Sequence, residues 1–172
     1  MKQIGLLKDT ASTWRAILKE SNDLSDVIEM AVKEDDLSLK DEVRQELDKL
    51  TAKFDEMEIQ LMLDGPYDAR DTILAIHAGA GGTESQDWAQ MLMRMFLRWA
   101  ERHKFKAEVL DTSPGDEAGI KSATIEIGGN FVYGNLKSEH GVHRLVRLSP
   151  FDADHARHTS FALVEVMPEA EE

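Results

Sequence analysis

The sequence contains no cysteine, which excludes disulfides and thiolate metal sites. No apolar run approaches the roughly 20 residues that a membrane-spanning helix needs. The first ten residues, broken by Lys2, Lys8 and Asp9, lack the apolar region of a signal peptide. A cytoplasmic protein with no membrane partner is expected. Basic side chains are scarce as well: 20 Lys and Arg stand against 33 Asp and Glu, a formal net charge of −13. That balance argues against a general nucleic-acid binder, which needs clustered Lys and Arg. The acid is spread along the chain, with 9 basic and 16 acidic side chains in residues 1–66 and 11 and 17 in residues 67–172. An RNA partner would have to be held by shape, stacking and a few placed contacts. What the chain does have is 42% hydrophobic residues in 172, enough for one domain, or a small domain plus an extension.

Residues 1–63 read as helical throughout. Leu7, Ala11, Trp14 and Leu18 recur at spacings of four and three, and Leu24, Val27, Ile28 and Ala31 resume the stripe. Lys33-Glu34-Asp35-Asp36 interrupts it. Ser38 is the expected N-cap of a second helix, with Asp41 and Glu42 in the first turn where the helix dipole favours acid. That helix carries Leu39, Val43, Leu47, Leu50, Phe54, Met57 and Leu61, near a heptad seam. The pattern predicts an antiparallel helical hairpin over 1–66, most simply a solvated coiled-coil arm.

Asp64-Gly65-Pro66-Tyr67 marks the boundary, because Gly and Pro together stop a helix and start a turn. Beyond it the spacing predicts a strand over 72–77 and a helix carrying Trp88, Met91, Leu92, Met95, Phe96 and Trp99 on one face. Strands over 105–110 and 120–127 follow, then a short helix over 131–138 and strands over 142–148 and 159–167. The order β-α-β-β-α-β-β describes a compact α+β domain over 67–172, its helices against one mainly antiparallel sheet.

Three constellations resemble chemistry that their residues do not complete. Gly79-Ala80-Gly81-Gly82 lies between a strand and a helix, but Glu84 stands where the dinucleotide fingerprint wants its third glycine, and no Lys-Ser/Thr follows. A tight turn remains, or a loop whose bare backbone approaches a ligand closely while Glu84 adds an acceptor. His140/His143 and His155/His158 have metal-like spacing, yet four-histidine structural zinc is far from the usual ligand sets. No metal and no cofactor is expected. Ser149, His158 and Asp152 evoke a hydrolase triad, but the strand-to-helix elbow that presents such a serine is missing and Pro150 follows Ser149.

The segment between the last two strands is either an ordinary hairpin loop or a surface for single-stranded RNA. Ser149 and Thr159 offer hydroxyls, and Phe151 and His158 offer flat faces on which unstacked bases pack. Pro150 fixes the backbone between them.

At these residues the chain resembles the bacterial type 2 peptide chain release factors, of the codon-specific class I family. Ser149-Pro150-Phe151 matches the family's stop-codon tripeptide, flanked by matching residues 141–147 and 157–161. Residues 77–84 with Asp87-Trp88, and residues 117–123, supply two further matching blocks. The resemblance implies reading of UAA and UGA in the decoding centre of the small ribosomal subunit. By position, Gly81 and Glu84 would read the first base and Ser149 the second, where a hydroxyl can donate to one purine and accept from the other. His158 would stack on the second base, Thr159 with Val146 would bear on the third, and Pro150 and Phe151 would shape the loop. The partners implied are the ribosome and the messenger's stop codon, with a GTPase-type release factor as a further candidate. The helical arm would be the family's first domain, reaching toward the large subunit.

The family's Gly-Gly-Gln tripeptide is absent from these 172 residues, since Gly81-Gly82 is followed by Thr83. The chain thus reads as a fragment or shortened form that binds without promoting peptidyl-tRNA hydrolysis, and not as an enzyme. Asp154-His155-Ala156 also departs from the more basic loop often found there. The rival from another class is a ribosome-rescue or regulatory relative that binds without reading a codon. A metal- or serine-dependent hydrolase stands third.

Overall fold

The computed structural model describes residues 2–34, 36 and 38–170. The chain divides into two compact units, residues 1–62 and 63–172.

In the first unit, helices α1 (Lys2–Lys33) and α2 (Lys40–Leu61) form a hairpin. Trp14 meets Phe54 edge-on, with ring centroids 5.7 Å apart, and Lys53 pairs with Glu20 at 2.8 Å, so the helices run antiparallel. Among the described residues, Ile17 and Met57 are its buried side chains. Val43, Leu50 and Met57, seven residues apart, form the covered row of the seam, while Leu18, Leu47, Phe54 and Leu61 stay exposed. Two helices thus cover one row of the expected stripe and leave the other open. The side chain of Leu7, and Asp35, lie outside the described residues. The expected cap is also displaced: Leu39 occupies the N-cap without a side-chain bond. Ser38 instead closes an Asx turn, donating its backbone N–H to Asp36 Oδ1 at 2.8 Å. Hydrogen bonds from the Ser38 side chain and then its backbone hold the Asp36 carboxyl below its ordinary range.

The second unit is an α+β layer built on one five-stranded antiparallel sheet. Strands β1 (Thr72–Ala78), β2 (Lys106–Pro114), β3 (Ile120–Gly128), β4 (Gly141–Leu148) and β5 (Arg157–Pro168) lie in the order β2-β3-β1-β5-β4. Every neighbouring pair is antiparallel. Helix α3 (Thr83–Arg102) covers one face. Its buried row is Ser85, Ala89, Leu92, Phe96 and Ala100, set against Leu74, Ile76, Ala123, Ile125, Ile127, Ala162, Val164 and Val166. Small residues at 89 and 100 let the helix lie close, and each large side chain contributes about 1.5–3 kcal/mol by burial. This row is rotated from the expected one: Met95 is exposed, and Met91 and Trp99 sit on its flank. A short helix, α4 (Val132–Leu136), and a 3-10 turn (Lys137–Glu139) lead into β4. They are clamped by Asp68, which is 2% exposed and takes a 2.6 Å bond from Lys137 Nζ.

Candidate nucleic-acid interface

The β1–α3 turn and the β4–β5 loop meet at one end of the sheet. Past the end of β1, Gly79 N–H donates to Phe161 O at 2.9 Å and Phe161 N–H returns to Ala80 O at 3.0 Å. The turn is therefore sewn to β5 two residues beyond Thr159. Gly81 has φ +137°, and a Cβ there would lie 2.9 Å from Ser160 Oγ, so both backbone conformation and space favour glycine. Gly82 is the N-cap of α3 and no side chain caps the helix, although Ser85 Oγ donates back to Gly82 O at 2.7 Å. From the other side the β2–β3 turn braces the same spot. Gln86 bonds Asp116 through both ends of its amide, at 3.0 and 3.2 Å, and Thr83 Oγ1 donates to Glu117 Oε2 at 3.2 Å. Gly119 makes this approach possible: its φ is +71°, and a Cβ would collide with the Gln86 carbonyl oxygen.

Glu84 points inward, only 4% exposed. Arg147 of β4 binds its Oε2 through Nε at 3.1 Å and Nη2 at 2.9 Å, and holds Asp87 Oδ2 at 2.6 Å. Burial pulls the Arg147 guanidinium down, but its bonds to Asp87 and Glu84 outweigh that and keep it above its ordinary value. Glu84 Oε1 is buried without a partner among the described residues. The carboxylate is thus part of the bracket that ties α3 to β4, sharing one guanidinium with Asp87.

The loop closing β4 and β5 spans residues 149–156, with Ser149 N–H bonding Ala156 O at 3.0 Å. Asp152 organises it, accepting from the N–H groups of Asp154 and Ala156 at 3.2 and 3.3 Å and pairing with His158 Nε2 at 2.8 Å. The His158 bond is the first of the causes that hold the Asp152 carboxyl below its usual range. Ser149 is 2% exposed, and its Oγ accepts the Phe151 N–H at 3.1 Å. Pro150 and Phe151 project outward, the latter 46% exposed.

Register sorts the remaining residues by face. Arg147 stands opposite His158, and Val146 opposite Thr159. Directly opposed residues share a face and successive ones alternate. His158 therefore lies with Arg147 on the side that α3 covers, and Thr159 with Val146 on the other. The candidate codon-reading residues Gly81, Glu84, Val146, Ser149, Pro150, Phe151, His158 and Thr159 lie at this end of the sheet, but around both sides of it.

Asp152 and His158 do pair, whereas the Ser149 hydroxyl is committed to Phe151 rather than to His158. His140 Nδ1 accepts from Val166 N–H at 3.1 Å, and His143 Nε2 bonds Glu139 O at 2.8 Å. The sequence reading placed Arg147 and Asp87 only in matching blocks and Asp152 only in a rejected triad, and missed that they hold the tip and the loop together. The signal for Arg147 was a cation on the helix-facing parity of β4, and for Asp152 an Asp two residues after Pro150.

The PCRF domain family matches residues 1–164. Over all 172 residues the chain is 52% identical to peptide chain release factor 2 of Thermomicrobium roseum and 48% identical to that of Chloroflexus aggregans. These alignments cover 46% and 47% of the two relatives, so the chain spans about half their length. A solved structure, RF2 of Thermus thermophilus, is 45% identical with a TM-score of 0.71, covering 99% of this chain and 47% of that one. With the family model matching residues 1–164 and its sequence and α+β fold shared in this way, the chain belongs to the PCRF domain family.

Proposed function

We propose that this chain is the stop-codon-reading part of a type 2 release factor, recognising UAA and UGA in the decoding centre of the small ribosomal subunit. The observation that carries the proposal is the bracket of Arg147 on Glu84 and Asp87, which fastens the α3 tip to the strand that leads into Ser149. With the Glu84 carboxylate turned inward, the uridine carbonyls are read by backbone N–H groups at the open N-terminus of α3. Glu84 positions that turn. His158 offers its ring to the second base from the helix-covered side, and Thr159 and Val146 take the third base on the other. Ser149 is 2% exposed, so its hydroxyl reaches the second base only after the loop that covers it opens, releasing Phe151 N–H. Codon binding therefore includes a local opening of residues 149–152.

Residues 1–66 serve as the factor's first domain and face the large subunit, while residues 67–172 decode. Triggering peptidyl-tRNA hydrolysis is assigned to no residue of this chain, and a GTPase-type release factor acts with the whole factor.

The test is binding of this chain to ribosomes carrying UAA, UGA, UAG or a sense codon in the A site, repeated after exchanging residues 149–151 for the type 1 tripeptide. Tight binding to UAA and UGA, moving from UGA toward UAG on exchange, is expected. Binding that ignores the codon would point instead to a rescue or regulatory relative.

A further inference from the structure

Helix α3 carries Arg94, Arg98 and Arg102 on its exposed side, at intervals of four residues. Each interval advances about 6 Å along the helix, so the three guanidiniums span about 12 Å. Together with Met91, Met95 and Trp99 they line a shallow groove of about 520 Å³. It exists because the buried row of α3 is centred on Leu92 and Phe96, which leaves Met91, Met95 and Trp99 half-covered on the flank.

The three arginines are set apart by their alignment along one exposed helix face. They lack a carboxylate partner, as Lys19, Arg44, Arg144 and Arg157 also do, but those are not in such a row. In this acidic chain Lys33, Lys49, Lys53, Lys106, Lys121, Lys137 and Arg147 each lie within 4 Å of a carboxylate. Among the described residues none of Arg94, Arg98 and Arg102 does, and exposed Glu101 of the same helix pairs with none of them. A basic residue in the last turn complements the helix dipole, which accounts for Arg102. It does not account for Arg94, two turns earlier.

We infer that this row is a docking site for the phosphate backbone of double-helical RNA, engaged independently of sequence. The planar guanidinium fork matches phosphate oxygens bidentately and sheds water more readily than an ammonium. A straight row of three such forks suits successive phosphates of one strand, and the groove beside it admits sugar edges against Met95 and Trp99. The inference rests on the ribosomal reading above and adds a second contact to it. Arg94 lies about 15 Å and Arg102 about 27 Å along the axis from Glu84, so the row does not touch the codon-reading end. It contributes affinity and leaves discrimination to the tip and the loop.

The experiment compares the chain with the triple variant Arg94→Gln, Arg98→Gln, Arg102→Gln, and with the triple Lys variant that keeps the charge. The probes are a mixed-sequence A-form RNA duplex titrated between 50 and 200 mM salt, and ribosomes carrying a stop or a sense codon. The glutamine variant should lose about tenfold or more in duplex affinity, and its salt slope should fall by about two to three, one phosphate per arginine. The lysine variant should recover the salt slope, which follows charge, but only part of the affinity, because the ammonium lacks the fork. On ribosomes the loss should be the same for every A-site codon. Unchanged duplex affinity and slope overturns the inference, as does a loss confined to stop codons or equally tight capture of polyglutamate. Ribosome binding that ignores the codon yet weakens in the glutamine variant rejects the decoding proposal and leaves the arginine row standing.

Discussion

The two halves of the candidate site are held in opposite ways. The α3 tip is fixed from outside: the backbone of β5, the β2–β3 turn and Arg147 each bind it. The loop of residues 149–156 is fixed mostly from within, by Asp152 and by the Ser149 hydroxyl on Phe151 N–H. One half is over-determined by three other elements, whereas the other depends on a few bonds among exposed groups. On the decoding role proposed above, the rigid tip would take the base that never varies, and the more loosely held loop the position where two purines are both accepted.

That contrast is broken most forcefully at its hinge. Arg147→Ala leaves Glu84 buried beside Asp87 with no cation, and losing one partner of a buried pair costs about 3–5 kcal/mol. Thermal unfolding should show the loss, and tip and loop should no longer act together. Gly81→Ala attacks the tip alone. The left-handed φ and the approach to Ser160 Oγ should cost about 1–3 kcal/mol by denaturant titration, with the loop's amide exchange unchanged.

A smaller effect tests a brace outside both halves. The Asp68 carboxyl is held below its usual range, first by the hydrogen bond from Lys137, against burial, and with help from Gly65 N–H and the Lys137 charge. A depressed native value means the stabilisation is complete above the ordinary Asp range, about pH 4, and is lost as pH falls through the native value. Asp68→Asn should thus differ from the parent by about 1 kcal/mol at neutral pH and converge on it in acid, because Lys137 remains wet. The smallest effect on stability is expected from Asp152→Ala. The loop should loosen with no change in melting temperature, seen as faster exchange of the Asp154 and Ala156 amides.

Much of the sheet could be read from the residues, since β1 is a short apolar run, β3 alternates apolar and polar side chains, and β4 and β5 flank an obvious loop. The miss at β2 has a physical cause. Its second half, Asp111-Thr112-Ser113, is an exposed edge with a register shift after Val109, and carries no apolar alternation to read. The rotation of α3 was hidden by Met and Trp, which look like core but fill the flank while Ala89 and Ala100 take the close positions. Within the site, residue types foretold position but not orientation. Nothing local to Glu84 announces that a cation 63 residues later turns it inward, and nothing local to Ser149 announces that its hydroxyl bonds the chain two residues on.

The most direct test of the joined tip and loop is amide hydrogen exchange of the chain on ribosomes carrying UGA, set against a sense codon. Residues 81–87 and 149–158 should gain protection together on UGA, with the Phe151 amide alone exchanging faster as Ser149 turns to the base. Protection of one segment without the other, or equal protection with both codons, would contradict the account.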